Sequence, residues 1–96
     1  MFGTVYKMRT KPGKKADALK TMMSEDRKIA GAAAFYVFDT GPDELHGVAV
    51  FDDEKTYRAN ANDPEQDKWY RQLRELLVAE PEWHDGTITA WPNGRN

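Results

Sequence analysis

Ala32-Ala-Ala-Phe-Tyr-Val-Phe38 and His46-Gly-Val-Ala-Val-Phe51 decide how this chain folds, because both runs are apolar on both of their faces. Side chains alternate across a strand, so Phe35 and Val37 point one way while Ala34, Tyr36 and Phe38 point the other. In the second run Val48 and Val50 oppose Gly47, Ala49 and Phe51. A small antiparallel sheet with helices on one side should instead read apolar-in, polar-out. The chain supplies helices for one face only, so something else has to cover the second. A second copy of the same chain is the simplest cover, and a homodimer joined through the sheet face is expected.

Outward from these runs the pattern is regular. Between them, Asp39-Thr-Gly-Pro-Asp-Glu44 carries strong turn chemistry and makes the two strands antiparallel neighbours. Upstream, Phe2 to Arg9 alternates and reads as a first strand, broken by Lys11, Pro12 and Gly13. A helix is predicted from about Lys14 to Ile29, with Leu19, Met22 and Met23 at helical spacing and Gly31 as its stop signal. Downstream, Asp52 and Asp53 are N-caps for a short helix through Asn60 with Tyr57 as its anchor. Asp63-Pro64-Glu65-Gln66 opens the next helix, with a capping Asp and a Pro at the first helical position. That helix carries Trp69, Leu73, Leu76 and Leu77 and should end before Pro81. Thr87 to Trp91 alternates again and is predicted as the fourth strand. Strand, helix, strand, strand, helix, strand is the split βαβ, ferredoxin-like order of an α+β protein (βαββαβ) with a four-stranded antiparallel sheet. One domain over 1–91 and a tail over 92–96 are expected.

Composition removes several function classes. At 96 residues the chain buries only about 60–65% of its unfolded surface, so dimerisation would add core where it is scarce. The 14 basic and 16 acidic residues are interspersed and sum to −2, which gives no nucleic-acid footprint. There is no cysteine, hence no disulfide framework, thiolate ligand or thiol nucleophile. No apolar run has transmembrane length, so no membrane association is expected and a cytoplasmic protein is the default. With two histidines and no recognisable carboxylate spacing, no metal site and no cofactor are expected. The glycines form no phosphate loop.

Unusual side chains gather around the second helical region: Tyr57, Asn60, Asn62, Trp69 and Tyr70, with Trp83 and His84 beyond. Aromatics could sandwich a flat ligand while amides orient its oxygens. Trp69 is in phase with Leu73 and also fits a core position, Tyr57 fits a packing anchor, and Asn62 fits a turn. Nothing in the local position of Asn60 requires an amide. His84 would serve as a general base if a substrate proton lay within reach.

Phe51-Asp-Asp-Glu54 closing the third strand, Tyr57-Arg-Ala-Asn-Ala-Asn-Asp-Pro64, and Lys11-Pro12-Gly13 after strand one together resemble the antibiotic biosynthesis monooxygenase family of the dimeric α+β barrel superfamily. The resemblance covers roughly Phe2 to Trp91. It implies two ferredoxin-like protomers packed sheet to sheet as a dimeric α/β barrel, and a pocket between sheet and helices. Members include cofactor-independent oxygenases of polyketide anthrones, quinol oxygenases and haem-degrading oxygenases. Many have His where this chain has Asn60, and often another where it has Glu65. The haem-degrading branch uses an Asn in strand one with a Trp and a His on the second helix. This chain has Thr4 and Tyr6 in the strand and Trp69 without the His, so haem degradation is not expected. Anthrone-type members have an Asn and a Trp matched here by Asn60 or Asn62 and by Trp69.

The resemblance thus implies a cofactor-independent monooxygenase of an aromatic or quinol-type small molecule. Asn60 would steady the developing oxyanion, Trp69 and Tyr6 would hold the ring with Tyr57 and Asn62 nearby, and His84 would accept the proton. The alternative is a non-catalytic, small-molecule-binding dimer of the same fold.

Overall fold

The structure, a computed structural model, describes residues 1–24 and 29–89. Its elements are β1 (Phe2–Arg9), α1 (Lys15–Met23), β2 (Ala32–Gly41), β3 (Glu44–Phe51), α2 (Glu54–Ala61), α3 (Pro64–Arg74) and β4 (Glu82–Thr87). The strands form one antiparallel sheet in the order β2-β3-β1-β4. This is the ferredoxin-like βαββαβ layout expected from the sequence, with α2 as an added short helix.

Local chemistry accounts for the boundaries. The hairpin between β2 and β3 needs only Pro42 and Asp43, because Gly41 pairs with Glu44, and Asp43 takes a positive φ of 57°. Asp and Asn tolerate that region better than most residues. At α2, Asp53 accepts a hydrogen bond from the Thr56 amide at 2.8 Å, and the Thr56 hydroxyl completes a capping box. Asp63 accepts from the Glu65 amide at 2.8 Å, with Pro64 at the start of α3. Gly31 has φ of 79° and lies against Thr56, where a Cβ would come within 2.4 Å of that side chain. Only glycine therefore serves both the turn and the close approach of α2.

Register assigns the faces. Leu45, Gly47, Ala49 and Phe51 of β3 lie opposite Met8, Tyr6, Thr4 and Phe2 of β1 on the helix-covered side. Here Met8, Ala18, Leu45, Leu73 and Leu77 form the buried core, with Leu19, Met22, Trp69 and Leu76 packed against it. A second cluster sits at the other end, where the Tyr57 ring lies 5.2 Å from Phe2 and 5.5 Å from Phe51. On the opposite side of the sheet no element of the described residues covers the strands. Val5, Tyr36 and Phe38 are 52%, 61% and 56% exposed there, beside the half-buried Val48 and Val50. Of the doubly apolar strands, β3 thus has one face in the core and one bare, whereas the edge strand β2 is exposed on both, with Phe35 and Val37 52% and 38% exposed on the helix side.

Besides the helix opened at Pro64, which ends at Arg74 and so does not carry Leu76 and Leu77, three expectations need revision. The fourth strand is Glu82–Thr87 rather than Thr87–Trp91. Its pairing runs from Lys7↔Glu82 to Phe2↔Thr87, where β1 begins, and Trp91 lies outside the described residues. Polar residues on both sides of this edge strand hid its alternation. The first helix is described through Met23; residues 25–28 lie outside the described set, and Ile29 is not helical. The central strands are longer than the apolar runs, because Asp39 to Gly41 and Glu44 continue the ladder with polar side chains. The expected tail, 92–96, also lies outside the described residues.

Candidate functional site

The helix-covered face holds a line of aromatic rings that register brings together. Tyr6 of β1 is paired with Trp83 of β4, and their centroids are 5.1 Å apart at 45°. Tyr70 of α3 approaches Trp83 from above at 6.5 Å. Trp83 is 47% exposed, so this indole presents a ring surface to solvent while its other contacts hold it in place. Tilted pairs at such distances suit the ring quadrupoles.

Two other tyrosines of this face are already committed. The Tyr57 hydroxyl donates to Asp85 at 2.9 Å, and Arg58 pairs with the other Asp85 oxygen at 3.4 Å. The Tyr70 hydroxyl donates to Glu80, whose other oxygen accepts from Arg74 at 3.1 Å. Burial and then the carboxylate partner push both phenols up to about 12. The unfolded phenol ionises near 10.0, so each pair stabilises the fold fully below pH 10 and loses that contribution as the pH rises towards 12. Thermal unfolding followed from pH 9 to 12 should show the melting temperature falling across that window. In Tyr57→Phe the fall should be shallower, and an unchanged profile would show that the Asp85 pair contributes nothing.

The sequence-predicted residues are distributed as follows. Tyr6 and Tyr57 lie on the helix-covered side, as does Trp69. Trp69 is a staple between helices: its indole N–H donates to the Thr21 carbonyl of α1 at 3.0 Å, and its ring packs on the core. Asn60 is half-buried in the last turn of α2, and its carbonyl accepts from the Asp63 amide at 3.1 Å. Asn62 is the exposed C-cap residue of that helix. His84 is not with the others. It pairs with Val5 on the bare face, its Nε2 3.2 Å from Glu82. Trp83, which the sequence reading noted without giving it a role, and Asp85, which it did not single out, point to the helix side instead. The one-residue alternation of β4 carried that signal, once its register was known.

Two concavities of about 170 and 240 Å³ lie elsewhere. One is lined by Lys7, Arg9, Ala79, Glu80 and Glu82, the other by residues around Thr10, Pro42 and Val78 at the end of the sheet. Among the described residues no three His, Asp or Glu converge as metal ligands, and no helix is long and apolar enough to cross a membrane.

No protein-family profile matches the chain, and no curated protein sequence does. Solved structures do. A monooxygenase from the ActVA-Orf6 gene of Streptomyces coelicolor, in complex with nanaomycin D, superposes with a TM-score of 0.81 at 18% identity, covering 94% of this chain and 88% of that one. A Deinococcus radiodurans protein described as an antibiotic biosynthesis monooxygenase gives 0.82 at 11% identity over 100% of both chains. The chain has the antibiotic biosynthesis monooxygenase fold. A conserved protein of Methanosarcina mazei shares it as well, with a TM-score of 0.81 at 20% identity and 92% of each chain covered. At such identities this likeness is one of fold, and the chemistry has to be argued from the side chains present.

Proposed function

We propose that the protein is a homodimeric, cofactor-independent monooxygenase of a flat aromatic or quinol-type molecule, bound on the helix side of the sheet. The observation that carries this reading is the half-exposed Trp83 ring held against Tyr6 and Tyr70 on that side. The fold shared with the Streptomyces monooxygenase supports it. Trp83 and Tyr6 would hold the ring by stacking. The half-buried Asn60 would donate to the substrate oxygen on which charge accumulates. Trp69 supports the site by joining α3 to α1 rather than by touching the ligand. The substrate itself supplies the electrons: an activated CH₂ and one O₂ give a C=O and one H₂O. The bare sheet face is assigned to the second protomer.

A second reading, a binding dimer without turnover, is favoured by one observation. The helix-side carboxylates nearest the rings are engaged, Asp85 with Tyr57 and Arg58 and Glu80 with Tyr70 and Arg74, and His84 faces the other way. A substrate that ionises unaided would need no base; one that does not would merely bind. Oxygen uptake with anthrone and with hydroquinones separates the two. The enzyme reading expects one O₂ consumed per anthrone, insensitive to a metal chelator and reduced at least about tenfold in Trp83→Ala or Asn60→Ala. Saturable binding with no oxygen consumption would establish the binding reading instead.

A further inference from the structure

We infer that the end of the sheet carries a second small-molecule site, independent of the helix-side rings. It takes a free aliphatic α-amino acid, with Arg9 holding the carboxylate and Asp43 the ammonium group. The site is the concavity of about 240 Å³ whose walls include Arg9, Pro12, Pro42, Asp43 and Val78. Arg9 and Glu44 form the last pair of the β1–β3 ladder, so it lies apart from Val48 at the middle of the bare face.

Two opposite charges line this concavity and neither is used by the fold. Arg9 has Glu44 as its direct cross-strand partner, yet no ion pair joins them. The Glu44 carboxylate is taken up elsewhere: it accepts from the Thr40 hydroxyl at 3.1 Å and lies 3.7 Å from Lys7 and 3.4 Å from His46. Among the described residues the Arg9 guanidinium has no hydrogen-bond or ion-pair partner, and the Asp43 carboxylate has none either. Asp43 sits in the hairpin turn at a φ of 57°, where glycine or asparagine would serve as well. Its carboxylate is therefore not needed for the turn. A ligand with one charge would leave Arg9 or Asp43 unanswered, whereas a zwitterion answers both with charge-assisted hydrogen bonds.

The walls specify the rest of the molecule. Val78 is apolar yet 51% exposed, and the rings of Pro12 and Pro42 line the same space. Such stiff side chains lose little freedom when a ligand covers them. The walls are also tied to one another: the Thr10 amide donates to the Asp43 carbonyl at 2.9 Å, and the Val78 amide to the Arg9 carbonyl at 3.0 Å. The volume is below that of pockets for drug-sized ligands, which suits a small metabolite. Ammonium and carboxylate on one carbon, with an aliphatic group beside them, is the pattern of a free amino acid and not of a residue within a peptide.

Calorimetric titration with L-leucine, leucinamide and 4-methylvaleric acid tests each contact. Leucinamide lacks the carboxylate and 4-methylvaleric acid lacks the ammonium group. The wild type should bind leucine at least about tenfold more tightly than either analogue. Arg9→Gln should lower leucine to the affinity of leucinamide, and change leucinamide itself less than about twofold. Asp43→Asn, which keeps a residue that accepts the turn, should lower leucine to the affinity of 4-methylvaleric acid and leave that acid unchanged. A wild type that binds none of the three, or all three alike, overturns the site. An Arg9→Gln or Asp43→Asn protein that keeps the full preference for leucine overturns the role of that residue.

Discussion

Val48→Asp is expected to turn a dimer into a monomer, moving the solution mass from twice the 11.0 kDa of one chain to that value itself. Val48 is the middle of the bare face, between Val5 on one neighbouring strand and Tyr36 on the other. Covering even ~400 Å² of apolar surface on each protomer contributes on the order of 10 kcal/mol per protomer at about 25 cal/mol per Å². Association costs roughly 4–15 kcal/mol, so an apolar face of this kind is enough to hold two chains together. A carboxylate at its centre reverses the balance. Two-fold symmetry would bury one charge from each chain, each costing several kcal/mol without a partner. Every 1.4 kcal/mol is a factor of about ten, so dissociation should strengthen by about 10³ or more. The protomer should keep its fold, since Val48 points away from the core formed by Met8, Leu45 and Leu77. Light scattering at micromolar concentration checks both halves. A wild-type monomer would falsify the dimer, and a Val48→Asp dimer would move the interface off this face.

The rest of that face bears on the same result. Its apolar part is Tyr36 and Phe38 of β2, Val48 and Val50 of β3 and Val5 of β1, and its polar part is Lys7 and Arg9 of β1, Glu44 and His46 of β3 and Glu82 and His84 of β4. Lys7 lies 3.7 Å and His46 3.4 Å from Glu44, whose carboxyl is held below its usual range by the Thr40 hydroxyl first and by the Lys7 ammonium second. Two cations against two carboxylates leave the polar half balanced at neutral pH. A second protomer on this face would meet an apolar half that supplies affinity and a paired half that sets orientation.

How far the sequence could be read depended on what each residue answered to. Where a side chain answered to its own strand or cap, the reading succeeded. The alternation of Val48 and Val50 against Ala49 and Phe51, the caps Asp53 and Asp63, and the turn at Pro42-Asp43 are local statements, and they sufficed for the fold. The candidate site answers to register. His84 and Trp83 are adjacent, yet one faces the bare side and the other the helices, and only the pairing of β4 with β1 says which. Gly47 carried no local signal because its meaning lies in the ring of Tyr6, 41 positions away. Trp69 was ambiguous between core and ligand until its indole N–H found Thr21 on another helix.

Leu77→Ala is expected to be the most damaging single truncation in the core. Helical phase groups Leu77 with Leu73 on one helix, but α3 ends at Arg74, and Leu77 instead forms an antiparallel bridge with Thr10 beyond the end of β1. Its backbone is fixed on both sides: Lys11 donates to the Leu76 carbonyl at 2.9 Å and Val78 to the Arg9 carbonyl at 3.0 Å. The Arg74 guanidinium donates to the Leu77 carbonyl at 3.1 Å. The side chain is fully buried among Met8, Ala18, Leu45 and Leu73. Leu→Ala in a core costs about 2–5 kcal/mol, and the high end belongs to sites that cannot collapse onto the cavity. A backbone held by three hydrogen bonds is such a site, so a cost of about 4 kcal/mol is expected. Domains of this length are stable by roughly 5–14 kcal/mol in all, so a large share of the fold's margin rests on one side chain outside any helix. Leu76→Ala, at a half-buried position one residue earlier, should cost about 1–2 kcal/mol. Urea unfolding of both variants at one fixed protein concentration measures the difference without a contribution from subunit association. Equal costs would show that the bridge to Thr10 adjusts to the lost volume, and that the segment after α3 is held by its backbone rather than by the leucine.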